Sequence, residues 1–129
     1  MLIELLGTVP AGFPSPASDY IENDIDLTKY LIGKKAATFF FRVTGESMIE
    51  AFIPPDALLI VDRSITPKSG DIVLAVVDSE FTVKRLQKDF NRLRLLPANK
   101  KFKPIEIGEF TECEIWGKVT FVISDTKIL

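Results

Sequence analysis

The sequence predicts a mainly β protein, with a single domain preceded by an extended N-terminal arm. A length of 129 residues suits one domain that can bury a hydrophobic core. Beyond residue 37, apolar residues occur in short runs rich in β-branched and aromatic side chains, which is the pattern of strands. Gly, Pro and Asp, which favour turns, separate these runs. Closely spaced prolines near the N-terminus mark the arm.

Residues 1–18 differ from the rest of the chain in their content of proline and glycine. Pro10, Pro14 and Pro16 lie close together. Because proline has no N–H to donate, this stretch can neither propagate a helix nor complete a sheet ladder. We therefore expect an extended, partly polyproline-like arm. Extended backbone is also the form in which a protease cleft can bind a chain.

Residues 19–36 are predicted to link the arm to the core and to contain one short helix. The apolar residues of this stretch have imperfect helical spacing. Asp26 is placed to cap the helix, and Gly33 is placed to end it. The β-rich domain is then expected over residues 37–129.

The β-rich domain is predicted to begin with a strand that leads directly to a glycine and a serine. Residues 38–43 form this strand, and Gly45 and Ser47 follow it. A short helical turn closed by Pro54-Pro55-Asp56 comes next. Further strands are predicted at residues 57–62, 72–77, 81–86, 93–96 and 115–123. Gly117 interrupts the alternation of the last strand, which indicates a β-bulge or close packing.

The composition excludes several classes of site. The chain has no histidine, so neither a Ser-His-Asp triad nor a Cys-His pair can form. Cys113 is the one cysteine, which leaves no disulfide framework or thiolate zinc cluster and fits a reducing compartment. A formal net charge of -2 argues against tight sequence-independent DNA binding, which relies on many Lys and Arg contacts to phosphate.

Sequence signals for cofactors, metals and membrane spans are missing. The chain has no glycine-rich phosphate loop and no carboxylate cluster with metal-ligand spacing, so we expect no cofactor and no metal. No apolar run approaches the roughly 20 residues that a membrane-spanning helix needs. The sequence is accordingly interpreted as that of a soluble intracellular protein.

Ser47 and Lys84 are the candidate catalytic residues. A serine hydroxyl at its ordinary pKa attacks poorly and needs a base to take its proton. In a chain without histidine, lysine is the strongest remaining candidate base, but only an uncharged amine can act as one. Burial must therefore lower the lysine pKa from its ordinary value of about 10.4. Lys84 lies in a predicted hairpin of residues 72–86, beside Phe81 and Val83, and these apolar residues could bury it.

Both residues also have purely structural interpretations. Ser47 and Glu50 match the S-x-x-E pattern of a capping box, in which Ser47 would simply start a helix. Lys84 could instead point to solvent from the polar face of an alternating strand. These two residues by themselves leave the structural and the catalytic interpretations open.

Several ordered motifs resemble a known family. They are AGFPSPA at residues 11–17, GESMI at 45–49, LLIVD at 58–62, GDIV at 70–73 and FTVK at 81–84. This series is similar to that of the UmuD proteins of the bacterial SOS mutagenesis response, within the LexA-like self-cleaving serine peptidases (S24). The similarity runs from about residue 10 to about residue 123. Several motifs at matching spacing make it far more specific than a Ser-Met dipeptide alone.

The resemblance implies a fold and a set of site residues. It implies a LexA-like C-terminal peptidase domain made of several twisted antiparallel sheets. Carried over by position, Ser47 is the nucleophile, Lys84 is the general base, and the bond between Ala11 and Gly12 is cleaved. The backbone N–H of Ser47 is the expected oxyanion donor. Ala11 departs from the cysteine that familiar UmuD proteins carry there, but it is the residue that LexA-type repressors use.

The resemblance also implies partners and a cellular role. It implies a cytoplasmic bacterial homodimer whose cleavage is stimulated by the RecA filament on single-stranded DNA. The cleaved dimer would serve a UmuC-type DNA polymerase subunit in error-prone translesion synthesis. The alternative is a polymerase-binding module that keeps the peptidase fold and is never cleaved.

Overall fold

The structure is a computed structural model that describes residues 2–5, 8–14 and 24–128. It divides the chain into two compact units, Met1–Gly33 and Lys34–Leu129. Each unit has its own secondary structure, and the units are described separately.

The first unit combines a pair of short strands with one helix. Strand β1 (Leu2–Ile3) pairs antiparallel with β2 (Ile25–Asp26), so part of the predicted arm is hydrogen-bonded rather than free. Helix α1 (Leu27–Leu31) follows. The Asp26 carboxylate accepts the Lys29 N–H, which confirms the predicted cap. The helix ends two residues before the predicted Gly33.

Residues 8–14 of the first unit are exposed and have no regular secondary structure. Among them, the Phe13 side chain is 93% exposed. The predicted arm and linker also include residues 15–23, which lie outside the described residues.

The second unit is built on one antiparallel sheet of seven strands within the described residues. The strands are β3 (Thr38–Arg42), β4 (Leu58–Asp62), β5 (Ile72–Val77), β6 (Glu80–Lys88), β7 (Leu93–Leu96), β8 (Ile105–Ile107) and β9 (Cys113–Ile123). Their order across the sheet is β3-β4-β9-β5-β6-β7-β8. The predicted mainly β class is confirmed. The resemblance implied several sheets, whereas these seven strands form one continuous sheet.

Most strands of the second unit lie where the sequence placed them. The predicted strand at residues 38–43 ends one residue earlier, and β6 and β9 extend beyond their predicted bounds. Strand β8 was not predicted. It has only three residues and pairs with β7 alone, so its local pattern is too short to separate from a loop. Short 3-10 turns occur at Lys35–Ala37, Ile49–Ala51 and Thr126–Ile128.

The sheet packs a separate hydrophobic cluster on each face. Val73 and Leu74 are successive residues of β5 and belong to different clusters, because side chains alternate between the faces of a strand. The first cluster comprises Val43, Met48, Ile53, Ala57, Leu59, Val61, Leu74 and Val119. The second comprises Val73, Ala75, Leu86 and Leu95. Strand β5 therefore lies at the centre of the core.

Gly117 lies where β9 packs closely against β4. The register between β9 and β5 shifts beside it, opposite Leu74 and Ala75. A Cβ added at Gly117 would lie 2.7 Å from Cγ1 of Val61, which is too close for a real contact. The bulge and the close packing predicted from this glycine are therefore both confirmed.

A search of the described residues for membrane spans finds no helix with the length and apolar character to cross a bilayer.

Candidate active site

The loop after β3 presents Ser47. Gly45 has a φ of +83°, a conformation that strains any residue with a Cβ, so a glycine is required where the chain turns. Met48 is only 1% exposed and anchors the loop in the first core cluster. Ser47 itself is half-buried between these two fixed points. The left-handed backbone at Gly45 and the packing of Met48 in the core therefore fix the loop on both sides of Ser47.

Strand β6 presents Lys84, and the structure brings it to Ser47. Lys84 pairs across the sheet with Val73 of β5 and is 8% exposed. Its Nζ lies 2.9 Å from Oγ of Ser47, although the two residues are 37 positions apart in the chain. The side chain is therefore buried, projects from the middle of a long strand and is in hydrogen-bond contact with the serine.

Both structural interpretations of these residues are wrong. The 3-10 turn Ile49–Ala51 is preceded by Met48 and has no side-chain cap, so Ser47 does not form the capping box with Glu50. The hydroxyl contacts Lys84 instead. Lys84 does not point to solvent, because it is buried and its amine contacts Ser47.

Three oxygen atoms surround the Lys84 amine. Besides Ser47 Oγ, Nζ lies 2.8 Å from Thr82 Oγ1 and 3.1 Å from the carbonyl oxygen of Val83. A neutral amine has two N–H donors and one lone pair. If it donates to Thr82 and Val83, the lone pair remains to accept the Ser47 hydroxyl proton. The arrangement suits a base aimed at the serine.

Burial favours the neutral form of this amine. Removal from water penalises the ammonium, and this desolvation lowers the pKa of Lys84 below its ordinary value. No carboxylate forms an ion pair with Lys84 among the salt bridges of the described residues. The change in pKa has the direction that the proposed base requires.

Thr82 is a part of this site that the sequence analysis missed. It lies two residues before Lys84 on β6, so the two side chains leave the same face of the strand. That spacing is a signal visible in the sequence once Lys84 is chosen as the base. Its contact with Nζ can be seen only in the structure.

Ser47 and Lys84 lie in a cleft with largely apolar walls. The cleft has a volume of about 560 Å³. Its apolar lining residues are Phe41, Val43, Leu59, Leu74, Phe81, Val83, Phe102 and Ile105. The cleft thus brings the serine hydroxyl and the lysine amine together among apolar side chains.

A second segment, residues 98–99, forms hydrogen bonds with the loop that carries Ser47. The sequence analysis also missed this segment. The Ala98 N–H donates to the Ser47 carbonyl at 2.7 Å, and the Glu50 N–H donates to the Ala98 carbonyl at 2.7 Å. The Asn99 side chain donates from Nδ2 to the Glu46 carbonyl at 2.8 Å. These bonds connect sequence positions about 50 apart, and no local pattern predicts them.

The other predicted site residues belong to the first unit. Ala11 and Gly12 are exposed there, within a bend, and a Cβ added at Gly12 would meet nothing within 4 Å. Cleavage between them remains a prediction. In the part of the chain that the structure describes, no group of three or more His, Cys, Asp or Glu side chains is arranged to hold a metal ion.

Comparisons with known proteins place this chain in a family. Residues 4–120 match the model of the Peptidase S24-like family. The chain is 47% identical to Protein SamA of Salmonella typhimurium over 118 residues, which cover 92% of this chain and 81% of SamA. It is 44% identical to Protein MucA of Escherichia coli over 116 residues, which cover 89% and 79%.

A LexA repressor is also similar. That of Caldicellulosiruptor saccharolyticus is 41% identical over 121 residues, which cover 94% of this chain and 58% of the repressor. The motif-based resemblance to UmuD-like proteins is confirmed by these relatives. The chain therefore belongs to the Peptidase S24-like family.

Proposed function

We propose that this protein is a UmuD-like SOS protein that cuts its own chain between Ala11 and Gly12, using Ser47 as nucleophile and Lys84 as general base. The observation that carries the proposal is the 2.9 Å contact between Nζ of the buried Lys84 and Oγ of Ser47. Family membership supports it, because the contact occurs in a chain of the Peptidase S24-like family.

The first half of the reaction transfers the acyl group to serine. Neutral Lys84 accepts the hydroxyl proton while Oγ of Ser47 bonds to the carbonyl carbon of Ala11. The carbonyl oxygen becomes an oxyanion, which the Ser47 N–H stabilises. When this intermediate collapses, the bond from carbon to the Gly12 nitrogen breaks and Lys84 returns the proton to that nitrogen. Residues 1–11 remain attached to Ser47 as an ester.

The second half of the reaction restores the enzyme. Neutral Lys84 accepts a proton from water as the water oxygen attacks the ester carbon. Collapse breaks the bond to Oγ, and the proton passes from Lys84 to Ser47. Residues 1–11 leave with a new carboxylate, and the remaining chain begins at Gly12. Thr82 and Val83 support both halves because their oxygen atoms hold Nζ in place.

Carrying enzyme and substrate in one chain creates a need for control. Intramolecular positioning removes much of the entropic cost of the encounter, so uncontrolled cleavage would be fast. An activator that favours the docked state can supply the control. We propose the RecA filament on single-stranded DNA as that activator. The further role proposed is a cytoplasmic bacterial homodimer that, once cleaved, serves a UmuC-type polymerase subunit in error-prone translesion synthesis. Similarity to SamA and MucA supports this assignment.

The test measures the intact mass of the purified protein. Wild type is incubated between pH 7 and pH 10 without an activator, and at pH 7 with RecA filaments on single-stranded DNA. We expect a product that begins at Gly12. Because burial lowers the pKa of Lys84 and only its neutral form is a base, the unassisted rate should rise with pH. Ser47→Ala and Lys84→Ala should remain whole in every condition.

The controls separate the proposal from its alternative. A folded wild-type protein that stays whole at all pH values and with RecA would be a polymerase-binding module that keeps the fold. Cleavage that persists in Ser47→Ala would show that a contaminating protease is responsible. Cleavage at alkaline pH but not with RecA would support the dyad and contradict the proposed activator.

A further inference from the structure

The peptide unit between Glu46 and Ser47 carries the proposed oxyanion donor. The carbonyl of Glu46 and the N–H of Ser47 belong to the same planar group, and in a trans peptide they point in opposite directions. Whatever fixes the direction of the Glu46 carbonyl therefore also aims the Ser47 N–H. Among the described residues, that N–H has no hydrogen-bond acceptor.

Asn99 fixes this carbonyl from outside the loop. Its Nδ2 donates to the Glu46 carbonyl at 2.8 Å, while its Oδ1 accepts the Lys101 N–H at 3.0 Å. The second bond requires an acceptor, which places the oxygen toward Lys101 and the amide nitrogen toward Glu46. The carbonyl also accepts the Ile49 N–H from within the loop, at 3.2 Å. Asn99 is thus a donor held in one orientation.

The residues that hold this peptide unit do not belong to the cleft. Glu46 and Ser47 line the cleft, whereas neither Ala98 nor Asn99 does. The Glu46 carbonyl points to the Asn99 side chain, and the Ser47 carbonyl is held by the Ala98 N–H next to it. Both carbonyls are therefore drawn away from the cleft. Because N–H groups oppose carbonyls in trans peptides, the Ser47 N–H points away from Asn99, and Ser47 itself lines the cleft.

We propose that Asn99 is a positioning residue that preorganises the oxyanion donor of Ser47 through the Glu46 carbonyl. The inference rests on the proposed peptidase function. Asn99 does not touch the reacting atoms in this scheme. It acts by preventing rotation of one peptide unit, so that the N–H already points to the developing oxyanion when Oγ attacks.

The experiment compares Asn99→Ala with wild type in two reactions. The first is self-cleavage across a range of pH. The second is phosphonylation of Ser47 by a fluorophosphonate, followed by mass spectrometry, which does not involve the chain's own bond. Loss of an oxyanion donor slows an enzyme by roughly 100- to 1,000-fold, so misaiming one should slow both reactions by about 10- to 100-fold. The midpoint of the pH profile should not move, because Asn99 does not contact Lys84.

Two further variants control for folding and for general loosening of the loop. Glu50→Ala removes another link between the loop and the same segment, the carboxylate that accepts the Lys100 N–H at 3.4 Å, without touching the Glu46–Ser47 peptide. Its rates should stay within about twofold of wild type. Asn99→Asp keeps the acceptor for Lys101 but removes the donor to Glu46, and it replaces Asn99→Ala if that variant does not fold. It should also be slow.

Several results would overturn the inference. The inference fails if folded Asn99 variants retain wild-type rates, if the pH midpoint shifts, or if Glu50→Ala loses as much activity as Asn99→Ala. If wild type is phosphonylated but never cuts itself, the proposed self-cleavage fails, and the phosphonylation ratio still decides the role of Asn99. If wild type shows neither reaction, Ser47 is not an active nucleophile and both proposals fail.

Discussion

At the scale of single residues, Lys84 combines a cost in stability with a proposed chemical role. Its amine is buried, and burial lowers its pKa. The unfolded chain keeps the ordinary value of about 10.4. Below the folded-state pKa, the folded protein carries the full cost of a buried ammonium. Between the two values only the unfolded state binds the proton, so the free energy of unfolding rises with pH across this window.

Replacing the buried amine should reveal this cost. We expect Lys84→Met to be more stable than its parent at pH 7, because it removes a buried charge and keeps much of the volume. The difference should shrink by pH 10.5, because the folded parent loses the buried charge while its unfolded chain still binds the proton. Urea denaturation at both pH values measures it. The chains used should begin at Gly12, so that self-cleavage does not interfere.

Lys88→Met is the matched control for Lys84→Met. Lys88 lies at the end of the same strand and is exposed, so its replacement removes a positive charge without relieving burial. A difference between Lys84→Met and its parent that stays constant from pH 7 to pH 10.5 would contradict the assignment of the desolvation cost to Lys84.

At the scale of elements, β9 supports the centre of the sheet, and Gly117 lets it pack closely against β4. The strand lies between β4 and β5. Its register shifts against both neighbours, beside Leu74 and Ala75 on β5 and beside Ile60 and Val61 on β4. The absence of a side chain at Gly117 is what allows Val61 to pack there.

Gly117→Ala should therefore destabilise the protein. The new methyl group would lie 2.7 Å from Cγ1 of Val61, a fully buried residue that cannot move away easily. We expect a loss of about 1 to 3 kcal/mol in the free energy of unfolding, as for other overpacked cores. Gly108→Ala is the control, because the nearest atom to its added Cβ is 4.0 Å away. Equal stability of the two variants in urea denaturation would refute the packing argument.

Sequence patterns were most informative about the secondary-structure elements and their bounds. The runs that became β5 and β7 were predicted with correct bounds, because β5 is wholly apolar, β7 is apolar except for Arg94, and turn signals flank both. The Asp26 cap was found for the same local reason. Strand β8 and the pairing of β1 with β2 were missed, since these short segments are strands only through their partners.

At the scale of the whole molecule, the hydrophobic core belongs to the second unit. Both clusters consist of residues between Val43 and Val119, all within Lys34–Leu129. A chain containing only residues 34–129 should therefore keep its β structure and unfold in one cooperative thermal transition, measured by circular dichroism. In that fragment Leu59→Ala should lower stability by about 2 to 5 kcal/mol, because Leu59 is fully buried. A fragment with no cooperative transition would show that the core is not sufficient.

The catalytic arrangement could be predicted only in part. The absence of histidine and the GESMI and FTVK motifs led to Ser47 and Lys84 as candidates. The same sequence also allowed a capping serine and a solvent-exposed lysine, and nothing local could choose between these interpretations. Thr82 and Asn99 were missed because their relevance depends on which atoms they reach.

The sequence alone determined the mainly β class, the position of most strands, the exclusion of histidine chemistry and the resemblance to a family of peptidases. Each of these depends on composition, on motifs or on the alternation of apolar and polar residues along a strand. All of these signals can be recognised from residues that are close together in the sequence. The tertiary structure decided the order of the strands, the contact between Ser47 and Lys84, and the support from Ala98 and Asn99. Such contacts join distant residues, and local preferences are compatible with many pairings until packing of the whole core selects one.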